Sequence, residues 1–166
     1  MDSGTITVTI VFIAIVTLPF ILSGISKKRK KKKLLQHINE LAVHKNCYIT
    51  QYDFGYNFVV GLDNMADYLF FYKRNENRES QHAIHLKEIR NCKILNSSHE
   101  ISEGKENFSA IKKLELCLYP IDKNNREEYI EFYNNEYDNL TLSGQLQMAE
   151  KWAKLINGKI KKSKTH

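Results

Sequence analysis

The side chains that could do acid–base or metal chemistry occur along this chain in short, incomplete groups. His37, Glu40 and His44 share one face of a predicted helix, since they are three and four residues apart. They lack a fourth ligand and the residue order of zinc-binding helices, so we interpret them as a solvated face. His82 and His85 have an odd spacing on a predicted strand, which directs their rings to opposite faces of that strand. Neither group predicts a metal site.

A nucleophile and a base also occur together in the Ser-Ser-His-Glu stretch at residues 97–100. Adjacent loop residues do not form a catalytic triad, and the chain has neither a G-x-S-x-G elbow nor a glycine-rich phosphate loop. The three cysteines are widely spaced and include no CxxC pair, so a disulfide framework is not indicated. We therefore predict no catalytic residue, no metal and no cofactor, and an enzyme is the least favoured class.

The strongest pattern in the chain is an apolar segment at residues 5–25, which carries no charge over 21 residues. A helix of that length spans about 30 Å, the thickness of the hydrocarbon core of a bilayer. A cleaved signal peptide would have basic residues before the apolar run and small residues after it. Here Asp2 precedes the run and lysines follow it. Residues 1–26 are therefore predicted to be an uncleaved transmembrane anchor.

Seven consecutive cations follow the apolar segment: Lys27, Lys28, Arg29, Lys30, Lys31, Lys32 and Lys33. Cations beside a membrane span stay on the cytoplasmic side, which predicts an outside N-terminus and a cytoplasmic C-terminal domain at a bacterial inner membrane. We expect the bilayer to hold the anchor, and we expect this basic run to contact anionic lipid at about 1 kcal/mol per cation.

The positive charge of the chain comes from two short tracts. The whole sequence has 25 Lys and Arg against 19 Asp and Glu. Without the basic run the balance is 18 against 19, and without the four lysines of residues 159–164 it is 14 against 19. A nucleic-acid partner is therefore not predicted, because such a partner requires a basic face on the fold itself.

The rest of the chain has the hydrophobic periods of a β domain between two helices. An apolar helical face at residues 34–46 predicts a helix that either continues the anchor or lies on the membrane surface. Seven strands are predicted from period-two patterns, at residues 47–52, 56–62, 68–72, 82–86, 92–97, 111–119 and 129–133. Residues 98–109 are predicted to be a loop. An apolar stripe at residues 142–160 predicts a final helix with Trp152 in the core.

Four segments resemble the pleckstrin-homology-like (PH-like) fold and its bacterial relatives: LFFY at 69–72, AIHLKEI at 83–89, CKI at 92–94 and QLQMAEKWA at 145–153. The second segment lacks the proline of the bacterial pattern. The resemblance implies an α+β, mainly β fold, with a seven-stranded antiparallel sandwich or partial barrel capped by a C-terminal helix. We divide the chain into the anchor at 1–26, the basic run and linker helix at 27–46, the PH-like domain at 47–160 and a basic tail at 161–166.

The resemblance also implies a binding module. PH domains that bind phosphoinositides use basic residues in the loop between the first two strands. Here that loop is predicted to be a short turn at residues 53–55, and it is acidic. We therefore expect a protein-interaction or scaffold domain at the membrane, with an unknown protein partner. The alternatives are a domain that binds lipid headgroups, helped by the two basic tracts, and an enzyme of unfamiliar arrangement.

Overall fold

The computed structural model of the chain describes residues 26–75, 78–103, 106–138, 142 and 144–163, without the side chains of residues 99–110. Its elements are, in chain order, α1 (described over 26–43), β1 (Gln51–Phe54), β2 (Phe58–Asp63), β3 (Tyr68–Arg74), β4 (Glu79–His85), a 3-10 helix (Leu86–Glu88), β5 (Ile89–Glu103), β6 (Glu106–Pro120), β7 (Glu128–Asn134) and α2 (Gln145–Ser163). The fold is therefore α+β and mainly β, as predicted.

The seven strands form two antiparallel sheets. Sheet 1 has the order β1-β2-β3-β4 and sheet 2 has the order β5-β6-β7. The apolar residues that alternate along β6 and β7 point into the space between the sheets, where they meet the inner faces of β2 and β3 and one side of α2. The largest side chains buried there include Phe58, Phe71, Leu114, Leu116, Phe132, Tyr133 and Trp152.

Helix α1 covers the outer face of sheet 1. Its residues Leu34, Ile38 and Ala42 recur at helical spacing and are buried in a second apolar cluster with residues of β2 and β3. Gly61 lets the helix approach closely, since a Cβ atom there would lie 3.2 Å from Ile38 Cδ1 and 2.9 Å from Ile49 Cγ2. The apolar face predicted at residues 34–46 therefore packs on the sheet.

Helix α2 closes the core at the side of the two sheets. Trp152 is fully buried, as its place on the apolar stripe predicts, and its indole Nε1 donates a hydrogen bond of 2.9 Å to Asp53. Lys151 Nζ lies 2.6 Å from the same carboxylate. Residues 53–55 were predicted to be a turn, but Asp53 lies in β1, where its carboxylate joins the first strand to the last helix.

Helix α2 forms hydrogen bonds to the edge of β5 at Cys92. Asn157 Oδ1 accepts a hydrogen bond of 2.9 Å from the N–H of Cys92, and Asn157 Nδ2 donates one of 2.8 Å to the Cys92 carbonyl. Both backbone groups of this edge residue are therefore paired with a side-chain amide.

The prediction of a loop at residues 98–109 is wrong. Strand β5 continues to Glu103 and β6 starts at Glu106, and their backbones pair from Ile89 and Pro120 to Glu103 and Glu106. Strand β7 pairs only with residues Lys113–Leu118 of β6, so the outer half of the hairpin extends beyond the third strand. An apolar pattern could not reveal this half, because pairing of the two backbones holds it without a third strand beside it.

The two ends of the sandwich carry different groups of turns. At the end that we call proximal, the first described turns of α1 lie beside the β1–β2 turn, and Asn57 donates a hydrogen bond of 2.8 Å to Asp138. At the opposite end, which we call distal, the β2–β3 turn joins the 3-10 helix through a hydrogen bond of 2.8 Å from Leu86 N to Asp67 O.

The predicted transmembrane anchor at residues 1–26 lies outside the described residues, apart from residue 26. Among the helices of the described part, neither is both long enough and apolar enough to cross a bilayer.

Candidate functional site

A groove runs between strands β4 and β7, the two edge strands that face each other across the gap between the sheets. Within the described residues, β4 pairs only with β3 and β7 pairs only with β6. The groove, which we call the β4–β7 groove, has a proximal cavity of about 500 Å³ and a distal cavity of about 270 Å³. Edge strands present unpaired N–H and C=O groups, so the walls of this groove can bond to an added strand.

The floor of the proximal cavity is a buried ion cluster. The side chain of Lys73 is 4% exposed, and its Nζ lies 2.6 Å from Asp138 Oδ2 and 3.1 Å from Glu131 Oε1. Asn134 adds a hydrogen bond of 3.1 Å from Nδ2 to the other oxygen of Glu131. The cluster joins β3 of sheet 1 to β7 of sheet 2 and the turn after it.

Tyr137 completes the cluster, with its hydroxyl 2.5 Å from Glu131 Oε1. Burial alone would raise the pKa of Glu131, but the hydrogen bond from Tyr137 and the charge of Lys73 outweigh it and lower that pKa. Burial and the same hydrogen bond raise the pKa of Tyr137 to about 12. Near neutral pH, Glu131 is therefore ionised and Tyr137 keeps its proton.

Three side chains at the rim of the groove are bonded in the order of a catalytic triad. Ser80 Oγ lies 3.0 Å from His82 Nε2, and His82 Nδ1 lies 3.0 Å from Glu128 Oε2. When the proton is on Nδ1, the ring donates to Glu128 and accepts from the Ser80 hydroxyl. This contact crosses from β4 to β7, between the two cavities.

Acidic residues outnumber basic ones along the groove. The charged residues that line its two cavities are Glu79, Glu88, Glu115, Glu128 and Glu131 against Lys73, Arg78 and Arg126. Glu131 and Asp138 neutralise Lys73, and Lys113 pairs with Glu115 at 2.8 Å, which leaves Glu79, Glu88 and Glu128 against Arg78 and Arg126. The charge that remains at the rim is negative, so it complements a basic ligand.

The predicted membrane-contact residues, Lys27 to Lys33, occupy the first described turns of α1, and all seven are exposed. Two of them contact aromatic rings at the proximal end. Lys30 Nζ lies 4.1 Å from the centroid of the Tyr56 ring, and Lys31 Nζ lies 5.3 Å from that of Phe54. The basic run is therefore attached to the domain.

The two basic tracts lie at opposite ends of the molecule. Lys159 in α2 donates a hydrogen bond of 2.6 Å to the carbonyl of Asn64 and lies 3.2 Å from Asp67, both in the distal β2–β3 turn. A strand of six residues such as β2 separates the ends by roughly 17 Å. That separation exceeds the screening length of about 8 Å in physiological salt, so the tracts do not form one charged surface.

The histidines behave largely as the sequence predicts. His82 faces β7, whereas His85 stacks on Tyr68 at 4.6 Å on the other face of β4. His37 is less solvated than predicted, because its ring stacks on Tyr72 at 4.6 Å. The side chains of His99 and Glu100 lie outside the described part. No three His, Cys, Asp or Glu side chains of the described residues are arranged to hold a metal ion.

The ion cluster and the Ser80–His82–Glu128 contact were not predicted. A signal for Lys73 was present, since it follows Leu69 and Phe71 at even spacing and therefore points to the same side of β3 as those core residues. The distance of 46 residues between His82 and Glu128 leaves no local pattern.

The chain matches no family model, and searches of characterised proteins and of solved structures found no significant match.

Proposed function

We propose that this chain is a single-pass, membrane-tethered PH-like module that captures a protein partner at the cytoplasmic face of a bacterial inner membrane. The apolar segment at residues 5–25 and the basic run after it support the tether and its orientation. The succession of four strands, three strands and a closing helix supports the PH-like assignment.

One observation carries the capture function, namely the β4–β7 groove with its two unpaired strand edges. An extended peptide can add to such an edge through its backbone, while its side chains enter the cavities on either side. The rim formed by Glu79, Glu88 and Glu128 is acidic and therefore favours a positively charged partner. The ligand is an extended segment with basic side chains.

The test is site-specific photo-crosslinking of the whole chain in cells. A photoreactive residue at Glu79 or Glu128 is expected to crosslink a protein, and the same residue at Glu150, which is exposed on α2, is not. Reversal of charge by Glu79→Lys is expected to weaken the crosslink formed at position 128. Equal products at all three positions, or products only at position 150, would exclude the groove as the capture site.

Binding of lipid headgroups as the main activity of the domain is less favoured. Lys159, which belongs to the second basic tract, is at the distal end and the basic run is at the proximal end, so a flat bilayer cannot contact both tracts. Contact between anionic lipid and the basic run alone is part of the tether.

A second candidate function is hydrolysis, and the Ser80–His82–Glu128 contact favours it because a bonded base can activate a serine. Two features rank it lower. Glu128 is 48% exposed, whereas the acid of a triad is buried, and Ser80 lies in a strand paired with Lys73 instead of at a sharp turn. A fluorophosphonate probe that labels Ser80 in the unmodified chain but not in His82→Ala would establish this candidate, and the absence of labelling would remove it.

A further inference from the structure

The basic run and the β1–β2 turn form one surface at the proximal end. Lys30 lies over the ring of Tyr56 and Lys31 lies near that of Phe54, so these lysines and rings are side by side. Tyr56 is 60% exposed, although it is a large aromatic residue. We call the basic run together with Phe54 and Tyr56 the proximal face.

This face is held rigidly relative to the sandwich. On one side, Leu34 and Ile38 are buried directly after the basic run, which fixes the first turns of α1 on sheet 1. On the other side, the β1–β2 turn lies against Phe58, since a Cβ atom at Gly55 would be only 2.1 Å from the ring. Lysines and aromatic rings therefore keep their relative positions in a folded chain.

The chemistry of the face is that of the membrane–water interface. Tyrosine is favoured at the level of the headgroups because its ring is apolar and its hydroxyl is polar. Lysines near the surface are attracted by the negative headgroups of anionic lipid. A protein partner of the same face would have to be acidic and would have to fit between the domain and the bilayer.

The outward side of α1 is the competing surface, and its charges do not favour lipid. Beyond Lys32, which belongs to the basic run, the residues there include Gln36, Asn39, Glu40 and Val43, with one acid and no cation among them. If this side lay on the bilayer, the helix would run parallel to the membrane. The proximal face instead has seven cations and lies directly after the apolar segment that ends at residue 25.

We infer that the proximal face docks on the anionic bilayer surface with Tyr56 in the headgroup layer, so that the domain stands end-on. This inference rests on the proposed tether and adds an orientation to it. The strands then run away from the membrane, and the cavity floored by Lys73 is the half of the β4–β7 groove closer to the lipid. Lys159, which bonds to the distal turn, lies at the end away from the bilayer.

The test places a tryptophan at three positions of the full chain, reconstituted in vesicles of phosphatidylglycerol and a phosphatidylcholine brominated near the top of its acyl chains. Tyr56→Trp is on the proximal face, Val43→Trp on the outward side of α1, and Met65→Trp in the distal turn. Val43 and Met65 are both strongly exposed. The unsubstituted chain gives the background from the buried Trp152.

We expect bromine to quench Tyr56→Trp well above this background and to leave Val43→Trp and Met65→Trp at it. Stronger quenching of Val43→Trp than of Tyr56→Trp would overturn the end-on orientation. Quenching of none of the three would overturn docking. Flotation of the same chains with the vesicles reports on the tether by itself, so loss of docking is distinguished from loss of the tether.

The role of the charges is tested in the Tyr56→Trp background. Lys30→Glu combined with Lys31→Glu is expected to reduce the quenching by about half or more, because the two changes replace cations that attract the proximal face to an anionic surface with anions that are repelled by it. Lys123→Glu, in an exposed turn between β6 and β7, is the matched control and should leave quenching unchanged. An equal loss in both variants would contradict a specific role of the proximal face.

Discussion

The outer faces of the two sheets differ in what covers them. On sheet 1, β2 and β3 are buried on both sides, because α1 packs on the face turned away from the core. On sheet 2, no element of the described part packs on the outer face, where Leu95 and Tyr129 are exposed beside charged residues. Strands covered on two sides are apolar throughout, whereas strands covered on one side alternate, and β3 and β6 are examples of the two patterns.

The difference shows that α1 is a layer of the domain. A linker helix would leave the basic run free to move relative to the sandwich. A helix buried on sheet 1 instead fixes the basic run in place relative to the β strands. Among the described residues, the outer face of sheet 2 has no such layer.

The largest effect is expected at the ion cluster between the two sheets. Lys73→Ala would leave Asp138 without its cation and Glu131 with the more exposed Lys113 at 3.8 Å, and loss of one partner of a buried pair costs about 3–5 kcal/mol. Denaturant unfolding of the detergent-solubilised chain, followed by Trp152 fluorescence, measures this loss. Lys112→Ala, whose partner Glu136 is exposed, is the control and should cost less than about 1 kcal/mol.

The second prediction tests the cover on sheet 1. Ile38 is fully buried between α1 and the sheet, so Ile38→Ala is expected to lower the unfolding free energy by about 2–5 kcal/mol. Val43→Ala, on the same helix but 65% exposed, should change it by no more than about 0.5 kcal/mol. If the two variants unfold alike, α1 is not a layer of the domain.

The third prediction concerns acid, since each sheet has a carboxylate with a lowered pKa. Burial would raise the pKa of Asp63, but hydrogen bonds from the N–H groups of Ala66, Tyr48 and Met65 lower it. Both folded pKa values are below the ordinary values of 3.8 for Asp63 and 4.5 for Glu131. The stability that the two ionised carboxylates add to the folded chain is therefore complete above pH 4.5 and is lost as the pH falls further.

Unfolding curves measured from neutral to acidic pH test this sign. Asp63→Asn and Glu131→Gln should each be less stable than the unsubstituted chain at neutral pH and should lose less stability on acidification. A variant that loses as much as the unsubstituted chain would show that its carboxylate is not responsible.

The smallest effect is expected on the open face of sheet 2. Leu95 is partly exposed there, so Leu95→Ala should change the unfolding free energy by about 0.5 kcal/mol or less. A cost as large as that of Ile38→Ala would mean that a layer covers sheet 2 as well. The same unfolding assay measures it.

The sequence predicted the fold where burial leaves a periodic pattern. Leu114, Leu116 and Leu118 alternate because only one face of β6 is buried, and Trp152 is in the core because it lies beside the apolar stripe of α2. Residues 69–72 are apolar on both faces of β3, but this pattern alone does not identify the residues of α1 that cover the outer face. The outer half of the β5–β6 hairpin left no such pattern.

The candidate site was less predictable because its parts come from distant segments. Glu131 and Asp138 lie 58 and 65 residues after Lys73 in the sequence, and the approach of β3 to β7 brings the three side chains together. The same is true of the contact between Lys30 and Tyr56, since the basic run predicts a charge but not the ring beside it.

The pairing of Asn157 with Cys92 bears on how the folded chain avoids self-association. An unpaired strand edge is a template on which a second copy can extend the sheet, and this is a common start of β aggregation. The carboxamide of Asn157 occupies both the donor and the acceptor that such a strand would use at this residue. Helix α2 thus protects the long edge of β5 from intermolecular β pairing at this residue, in addition to closing the core.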